Sequence, residues 1–408
     1  MKAPKSFRLH IGIFGKRNSG KSSILNSLTN QDVSIVSDIA GTTTDPVEKP
    51  MELLPLGPVL FIDTAGIDDL GNLGEKRVAK TMLVFDRTDL GIIVSNFNDW
   101  DDYERQIINE FKNRAIPFIV VFNKSDLHEE NDAIIRQLNT AKIRFTKTSA
   151  LKQTGITDLR ELLLQSAPPD FIERPAILSD LVGPGEAAVL VVPIDKEAPK
   201  GRLILPQVQS IRDLLDNDSF CMVVKERELR EALSRFNKPP KLVVTDSQAF
   251  LKVAADTPTE IPLTSFSILF ARFQGDLNEM VRGAMAIDKL KTGDKVLIAE
   301  ACSHHPIGED IGTVKIPRWL TQYVGGKLEI DHQRGHDFPE NISEYKIIIH
   351  CGACMWNRRE MLSRIMKAKQ ANVPITNYGL TIAYSLGIFE RALQPFPAAL
   401  DIYLNKKI

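Results

Sequence analysis

Cysteine is scarce in this chain, four in 408 residues, which excludes the disulfide framework of a small secreted protein. Neither sign of charge is in excess. Lys and Arg number 51 against 52 Asp and Glu, a net charge of −1, so there is no overall basic field to hold a nucleic acid. No apolar run reaches the roughly 20 residues of a membrane span, and no signal-peptide architecture opens the chain. After Met1–Arg8 the sequence runs straight into an apolar strand candidate and a glycine-rich loop. What is present is ordinary for a globular protein: 43% hydrophobic and 25% charged residues, a composition that argues against disorder. At about 150 residues per domain the length predicts two or three domains, each able to bury a core. The expectation is a cytoplasmic multidomain protein with neither a nucleic-acid nor a membrane partner.

Residues 9–165 alternate short apolar runs with helical stretches, the pattern of a parallel sheet covered by helices. The strand candidates are Leu9–Phe14, Val59–Asp63, Leu90–Ser95, Phe118–Asn123 and Ile143–Thr146. Three prolines in Ala167–Pro175 mark a linker. A second αβ module follows, with buried strands predicted at Ala187–Ile194, Cys221–Val224 and Lys241–Thr245. Its helices are predicted near Leu203–Leu215 and Glu226–Phe236, and its apolar surfaces suit a subunit interface or a plain core equally well. A third unit begins near Thr264 with the apolar run Ser265–Phe273 and a helix around Leu277–Leu290. It continues with strands at Lys295–Glu300 and Lys346–His350, a helix at Arg358–Lys369, a strand at Val373–Thr376 and a last helix near Pro397–Asn405. There is no repeat of solenoid period and no low-complexity tract. The fold class expected is α/β, a first domain with a helix-covered parallel sheet followed by two further α/β domains, divided at 1–168, 175–262 and 263–408.

The segment Gly15-Lys-Arg-Asn-Ser-Gly-Lys-Ser22 fits G-x-x-x-x-G-K-[ST] between a predicted strand and a helix that opens at Ser23. Its glycines let backbone N–H groups close around phosphates at a helix N-terminus, with Ser19 and Gly20 inside the loop. Lys21 is placed to reach the β and γ phosphates and Ser22 to put its hydroxyl on Mg²⁺. Asp63-Thr-Ala-Gly66 ends a strand, where Asp63 can hold the Mg²⁺ shell and the Gly66 N–H can meet the γ-phosphate. Asn123-Lys124-Ser-Asp126 ends a later strand. There Asp126 can accept from N1–H and the exocyclic amine of guanine, donors that adenine does not offer, so discrimination is strong. Ser149-Ala150 fits the remaining base-contacting loop. Four motifs in this order, each at a strand's carboxyl end, predict a GTP site.

These residues resemble the translation-factor-related GTPases, and within them the TrmE–Era group. Gly41-Thr-Thr-Thr44 is similar to that group's first switch, with Thr43 its Mg²⁺-binding threonine. Ile67 stands where Ras-like proteins carry the glutamine that orients water, so slow intrinsic hydrolysis is expected. Asp68, Asp69 and Glu75 are candidate water-orienting carboxylates. Asn18 occupies the place of an asparagine that ligates K⁺ in potassium-activated relatives, where the cation supplies the charge of an arginine finger.

Cys302-Ser-His304 and His350-Cys351-Gly-Ala-Cys354 each follow a predicted strand. If those strands are parallel, their carboxyl ends share an edge and three thiolates can converge there. Three chemistries compete. A thioredoxin-like pair uses Cys351 and Cys354 but leaves Cys302 idle. A structural Cys₃His zinc site closes a tetrahedron. An iron–sulfur cluster on three cysteines leaves one iron with a non-cysteine or exchangeable ligand. The spacing alone does not separate the last two.

A TrmE–Era-like GTPase joined to C-x-H and a distant H-C-x-x-C resembles, along the whole chain, the HydF family of FeFe-hydrogenase maturation GTPases. The resemblance implies a middle dimerisation domain, a homodimer or higher assembly, and a 4Fe–4S cluster on Cys302, Cys351 and Cys354. It also implies a scaffold that receives a diiron precursor from two radical maturation enzymes and delivers it to apo-hydrogenase. His304 is the favoured labile fourth ligand, with His305, Glu309 and His350 as alternatives, since a scaffold needs replaceable ligation. Two rivals remain: a regulatory GTPase with a zinc or redox site, and an RNA- or ribosome-associated GTPase. For the second, the sequence offers no KH-type module and no basic tail. Cys221 reads as a small buried hydrophobe, and His10, His128, His332 and His336 carry no assigned chemistry.

Overall fold

The computed structural model describes residues 4–29, 46–53, 56–64, 81–172, 175–194, 203–301, 310–339 and 341–405. The chain divides into two compact units, residues 1–174 and 175–408.

The first unit is built on six strands, β1 (Leu9–Phe14), β2 (Val47–Leu53), β3 (Gly57–Asp63), β4 (Leu90–Ser95), β5 (Phe118–Phe122) and β6 (Phe145–Lys147). They lie in the order β2-β3-β1-β4-β5-β6. All neighbours are parallel except β2, which runs antiparallel to β3. Every residue of β1 and β4 is buried, as expected for central strands covered on both faces. The helices among the described residues include α1 (Lys21–Thr29), α2 (Asp102–Asn113), α3 (Asp132–Thr140) and α4 (Ile156–Ser166). Side chains alternate across the sheet: Ile11, Val59 and Phe61 join a core with Ile24 and Leu159, while Phe14 and Ile93 join Phe85, Phe111 and Phe122. Gly91 has no side chain because the Phe111 ring occupies the space a Cβ would fill.

The second unit holds two four-stranded sheets, every strand pair parallel. The first contains β7 (Ala187–Val191), β8 (Phe220–Val224), β9 (Leu242–Thr245) and β10 (Leu263–Ser265), in the order β10-β9-β7-β8. Residues 263–265 fall in the third unit of the sequence reading, yet they hydrogen-bond into this middle sheet. Helices α5 (Leu205–Asp216), α6 (Leu229–Ser234), α7 (Phe250–Asp256) and α8 (Phe266–Gln274) accompany it. The second sheet contains β11 (Lys295–Glu300), β12 (Glu329–Arg334), β13 (Ile347–His350) and β14 (Ile375–Asn377), in the order β12-β11-β13-β14. Its helices include α9 (Leu277–Ala284), α10 (Ile316–Val324), α11 (Arg358–Gln370), α12 (Tyr378–Ser385), α13 (Phe389–Leu393) and α14 (Pro397–Leu404). Helix α8 is apolar nearly all round and packs against α5, α11 and α12. A helix apolar on every face has to be enclosed, and enclosing α8 joins the two sheets into one body. Strand β8 is not buried as its apolar sequence predicts. It is a sheet edge that exposes Phe220 and Val223, with Cys221 half-buried. Among the described residues no helix is long and apolar enough to cross a membrane.

Candidate functional site

In the first unit the phosphate-loop residues lie between β1 and α1, at the carboxyl edge of the sheet. Gly15 has no room for a Cβ, because the Val94 carbonyl sits there, and Gly20 takes a φ of +91° with Asn123 Nδ2 in the corresponding space. Asn18 adopts a left-handed φ of +62°, which asparagine tolerates better than most residues. Lys21 Nζ donates to the carbonyls of Gly15 at 2.7 Å and Lys16 at 2.9 Å. Ser22 Oγ lies 3.4 Å from Asp63 Oδ2, while Asp63 Oδ1 is buried with no hydrogen-bond partner. Burial pushes the Asp63 carboxyl up, against the Lys21 ammonium and the Ser22 hydroxyl, which lower it. A buried orphan carboxylate oxygen beside a serine hydroxyl suits Mg²⁺, a hard cation that takes oxygen ligands. Thr43 and Gly66, with Ile67, Asp68, Asp69 and Glu75, lie outside the described residues.

The base-side loops are tied to the phosphate loop through one residue. Asn123 is 3% exposed; its Nδ2 donates to Ser19 O at 3.2 Å and its Oδ1 accepts from Ala150 N at 3.2 Å. Its neighbour Lys124 adopts a φ of +58°. The hydrogen bond from Ser149 is the main influence holding the Asp126 carboxyl below its ordinary range, so it is an ionised acceptor at neutral pH. Lys152 Nζ stands 3.8 Å from it. Gln153 Nε2 then bridges Ala150 O and Ser27 Oγ, fastening this loop to α1. Helix α1 opens at Lys21, two residues before the expected Ser23, and Ser27 donates back to the Ser23 carbonyl at 2.9 Å.

Lys16 is a participant that the motif alone does not reveal, since it is one of the four variable positions. Its Nζ donates to Asp99 O at 2.5 Å and pairs with Asp101 at 2.7 Å and Glu104 at 3.4 Å. Glu104 is fully buried and also accepts from Ser95 Oγ and Asp101 N, each at 2.9 Å. Burial lowers the Lys16 ammonium, but the Asp101 hydrogen bond and the Glu104 charge more than offset it, and the net shift is upward. Asn98 Nδ2, in the same loop, lies 2.8 Å from His128 Nδ1 beside Asp126.

In the second unit β11 and β13 are adjacent and parallel, with Ala299 opposite His350. The strands therefore end side by side, and Ala301 N donates to Cys351 Sγ at 3.1 Å. Cys302, His304, His305 and Glu309 lie outside the described residues. Among the described residues no three His, Cys, Asp or Glu side chains gather as a metal site. Backbone N–H donation to sulfur suits a metal-bound thiolate, in a zinc site or an iron–sulfur cluster alike, so Cys351 fits either donor set. Ala353 turns the loop with a φ of +51° and is buried, while Cys354 is half-buried.

His350 faces inward. Its Nδ1 donates to Cys351 O at 2.9 Å and its Nε2 accepts from Arg364 at 3.1 Å, so both ring nitrogens are engaged. Burial and the Arg364 charge push its imidazole down to about 3. The motif does not point to Arg364. It is 3% exposed, donates to Gly335 O at 2.8 Å and Asp337 O at 3.0 Å, and stacks on Trp356 with 4.2 Å to the ring centroid. On the other side of the loop, buried Glu300 accepts from Tyr378 Oη at 3.0 Å and from Arg334 Nε at 2.8 Å. The helical periodicity of α11 would have flagged Arg364 as inward-facing. Nothing local flags Tyr378.

Residues 177–275 match the hydrogen maturase F dimerization domain, and residues 278–395 match the hydrogen maturase F tetramerization domain. The chain belongs to the hydrogen maturase F family. Residues 10–124 match the 50S ribosome-binding GTPase family. Among curated relatives, the tRNA modification GTPase MnmE of Chromobacterium violaceum is 35% identical over 158 residues, covering 38% of this chain and 34% of that protein. GTPase Der of Wolinella succinogenes is 39% identical over 132 residues, 31% of this chain and 27% of Der. The chain thus spans about a third of the length of these relatives. Among solved structures, a single-residue variant of Aquifex aeolicus Era bound to GDP·AlF4⁻ aligns with 21% identity and a TM-score of 0.35, covering 56% of this chain and 98% of Era. The chain is an α/β protein with a P-loop GTPase domain followed by further α/β sheets.

Proposed function

We propose that this chain is a GTP-hydrolysing scaffold that binds a 4Fe–4S cluster, assembles the diiron subcluster precursor and delivers it to apo FeFe-hydrogenase. Radical maturation enzymes supply the precursor, and the scaffold works in the cytoplasm as a homodimer or larger assembly. Family membership and the GTPase match support the general reading. The observation that supports the finer one is the adjacency of β11 and β13, the strands that lead into the two cysteine segments, with the Cys351 sulfur accepting the N–H one residue before Cys302. Cys302, Cys351 and Cys354 would hold the cluster, with His304 the labile fourth ligand. The cluster would supply an exchangeable iron site at which a precursor can dock.

In the GTPase unit, the Lys21 ammonium neutralises charge on the β and γ phosphates, and Asp63 with Ser22 and Thr43 holds Mg²⁺. Asp126 accepts from the guanine edge, with Asn123 fixing its loop to the phosphate loop. K⁺ at Asn18 would add the positive charge that an arginine finger gives other GTPases. Nucleotide state moves the switch segments at Thr42–Thr44 and Asp63–Gly66, and that movement biases partner association. Exposed Phe220 and Val223 on edge strand β8, within the region matched to a dimerization domain, support self-association there.

The test is transfer. The chain, loaded anaerobically by the radical maturation enzymes and mixed with apo-hydrogenase, should confer hydrogen evolution, and Cys351→Ala should abolish it. Equal activation by the Cys351→Ala chain sinks the cysteine-edge scaffold.

A further inference from the structure

The two sheets of the second unit share more than parallel strands. Numbered by appearance, each runs second, first, third, fourth across the sheet when β10-β9-β7-β8 is read from its β8 end. The registers agree residue for residue. Val191 faces Thr245 and Thr245 faces Ser265 in the middle sheet; Ala299 faces His350 and His350 faces Asn377 in the other. The sequence follows the same alignment. Gly185-Glu186 and Gly293-Asp294 precede the first strands, with glycine φ values of +72° and +87°. Lys241–Phe250 (KLVVTDSQAF) aligns with Lys346–Met355 (KIIIHCGACM), and Pro262–Ala271 (PLTSFSILFA) with Pro374–Ala383 (PITNYGLTIA).

Bonds at the strand ends repeat as well. Gly185 N donates to Asp218 O at 2.8 Å, as Gly293 N does to Lys327 O at 2.9 Å. Val243 N donates to Pro262 O at 2.9 Å, as Ile348 N does to Pro374 O at 2.8 Å. Ser265 caps α8 through Ile268 N, and Asn377 caps α12 through Leu380 N. A common superfold explains a common strand order. It does not require the same bonds at matched residues.

The packing between the sheets is reciprocal. Ser267 and Gly379 are equivalent positions, and they meet each other: a Cβ on Gly379 would lie 2.7 Å from Ser267 Cβ. Two equivalent positions on a rotation axis compete for one space, so only one can carry a side chain. Asn377 Nδ2 donates to Ser267 O at 2.7 Å, and the equivalent of Asn377, Ser265, has its Oγ 3.1 Å from where the Gly379 Cβ would be. Helix α9 packs on β14, and its equivalent α13 packs on β10.

We propose that the second unit is two copies of one α/β unit paired about a local two-fold axis at Ser267 and Gly379, and that α8 of the first copy braces the cysteine loop of the second. Phe270 on α8 has its Cβ 3.9 Å from the Cβ position of Gly352, inside that loop. Just past the loop, Arg358 Nη1 donates to Arg272 O at 3.1 Å and Phe273 O at 2.8 Å, the last turn of α8. Reciprocally, α12 packs over Ser247–Ala249, the equivalent of Gly352–Cys354. Where the second copy has Cys302, Cys351 and Cys354, the first has Ile194, Asp246 and Ala249, so only one copy carries the thiols. The pairing stands independently of the cluster; only the purpose of the brace rests on the proposed function.

Hydrogen exchange with mass spectrometry on the metal-free full-length chain tests both parts, whatever the cluster outcome. Gly379→Val, on the axis, should raise exchange about ten-fold in both loops, 246–250 and 351–356, and leave residues 9–166 at their wild-type rates. Phe270→Ala should raise it in 351–356 alone. If Gly379→Val fails to fold, Gly379→Ala carries the same reading. A rise confined to one loop for the axis variant overturns the two-fold pairing, and unchanged exchange at 351–356 in Phe270→Ala overturns the brace.

Discussion

Replacing Lys16 by Met should loosen the phosphate loop, although the nucleotide motif places no demand on that position. The side chain is 19% exposed and its partner Glu104 is fully enclosed. Breaking a fully buried ion pair costs about 3–5 kcal/mol. Two features reduce that here: the lysine reaches water, where exposed pairs contribute about 1 kcal/mol or less, and Glu104 keeps the donors Ser95 Oγ and Asp101 N. The expected loss is therefore about 2 kcal/mol, which for a domain of this size is roughly 4–8 °C in the unfolding midpoint. Lys16→Arg should retain most of it. Because the carbonyl of Lys16 accepts from Ser19 N at 3.3 Å and from Lys21 Nζ at 2.9 Å, removing the ammonium that anchors this residue also loosens the backbone that cradles phosphate. GDP and GTP affinities should fall together, raising KM with kcat little changed. The assay is thermal unfolding of the full chain with nucleotide titration, run as a double-mutant cycle with Glu104→Gln. A coupling energy below about 0.5 kcal/mol, the level of independent sites, refutes the reasoning.

Three further outcomes follow from the same geometry. Asp126→Asn replaces an acceptor for the guanine edge by an amide able to donate to a 2-oxo base, so GTP affinity should fall while xanthosine triphosphate affinity rises; competition binding decides it. Asn18→Ala should leave GTP binding near wild type and remove the difference between hydrolysis in K⁺ and in Na⁺, and a retained K⁺ stimulation contradicts the assignment of Asn18. Arg364→Met leaves the buried His350 Nε2 without its donor, at about 1–3 kcal/mol for a buried acceptor left unmatched, and also removes the donor to the part-buried carbonyls of Gly335 and Asp337. The second unit should therefore unfold several degrees earlier while the GTPase unit holds its midpoint.

The parallel elements are the legible ones. Leu9–Phe14, Leu90–Ser95 and Lys295–Glu300 are strands with the predicted bounds, because a strand buried on both faces is a continuous apolar run between turn residues. The edge strands β2 and β12 escape a sequence reading: VEKPMEL and EIDHQR are polar, and only their pairing partners make them strands. Leu263–Ser265 falls to the wrong sheet for a related reason, since three residues carry no periodicity and the long apolar run after them is a helix rather than a strand. Site residues named by a motif are visible in sequence, because phosphate chemistry fixes their spacing. Lys16 and Glu104 are not, because they act on the loops rather than on ligands, and tertiary contact alone selects them; Arg364 is legible only as an inward position of α11. His350 matches a motif, yet its imidazole serves the fold through Arg364 and the Cys351 carbonyl. The pairing of the two sheets leaves a sequence trace in Pro262–Ala271 and Pro374–Ala383, too short and too far apart to register without the strand alignment.

The cysteine edge is tested most directly by EPR of the protein reconstituted anaerobically with iron and sulfide and reduced with dithionite, beside Cys302→Ala and Cys354→Ala. A 4Fe–4S signal that both substitutions abolish is the predicted result. Bound zinc with no such signal, or a signal untouched by either substitution, would contradict the scaffold and leave a GTPase whose cysteines serve only the fold.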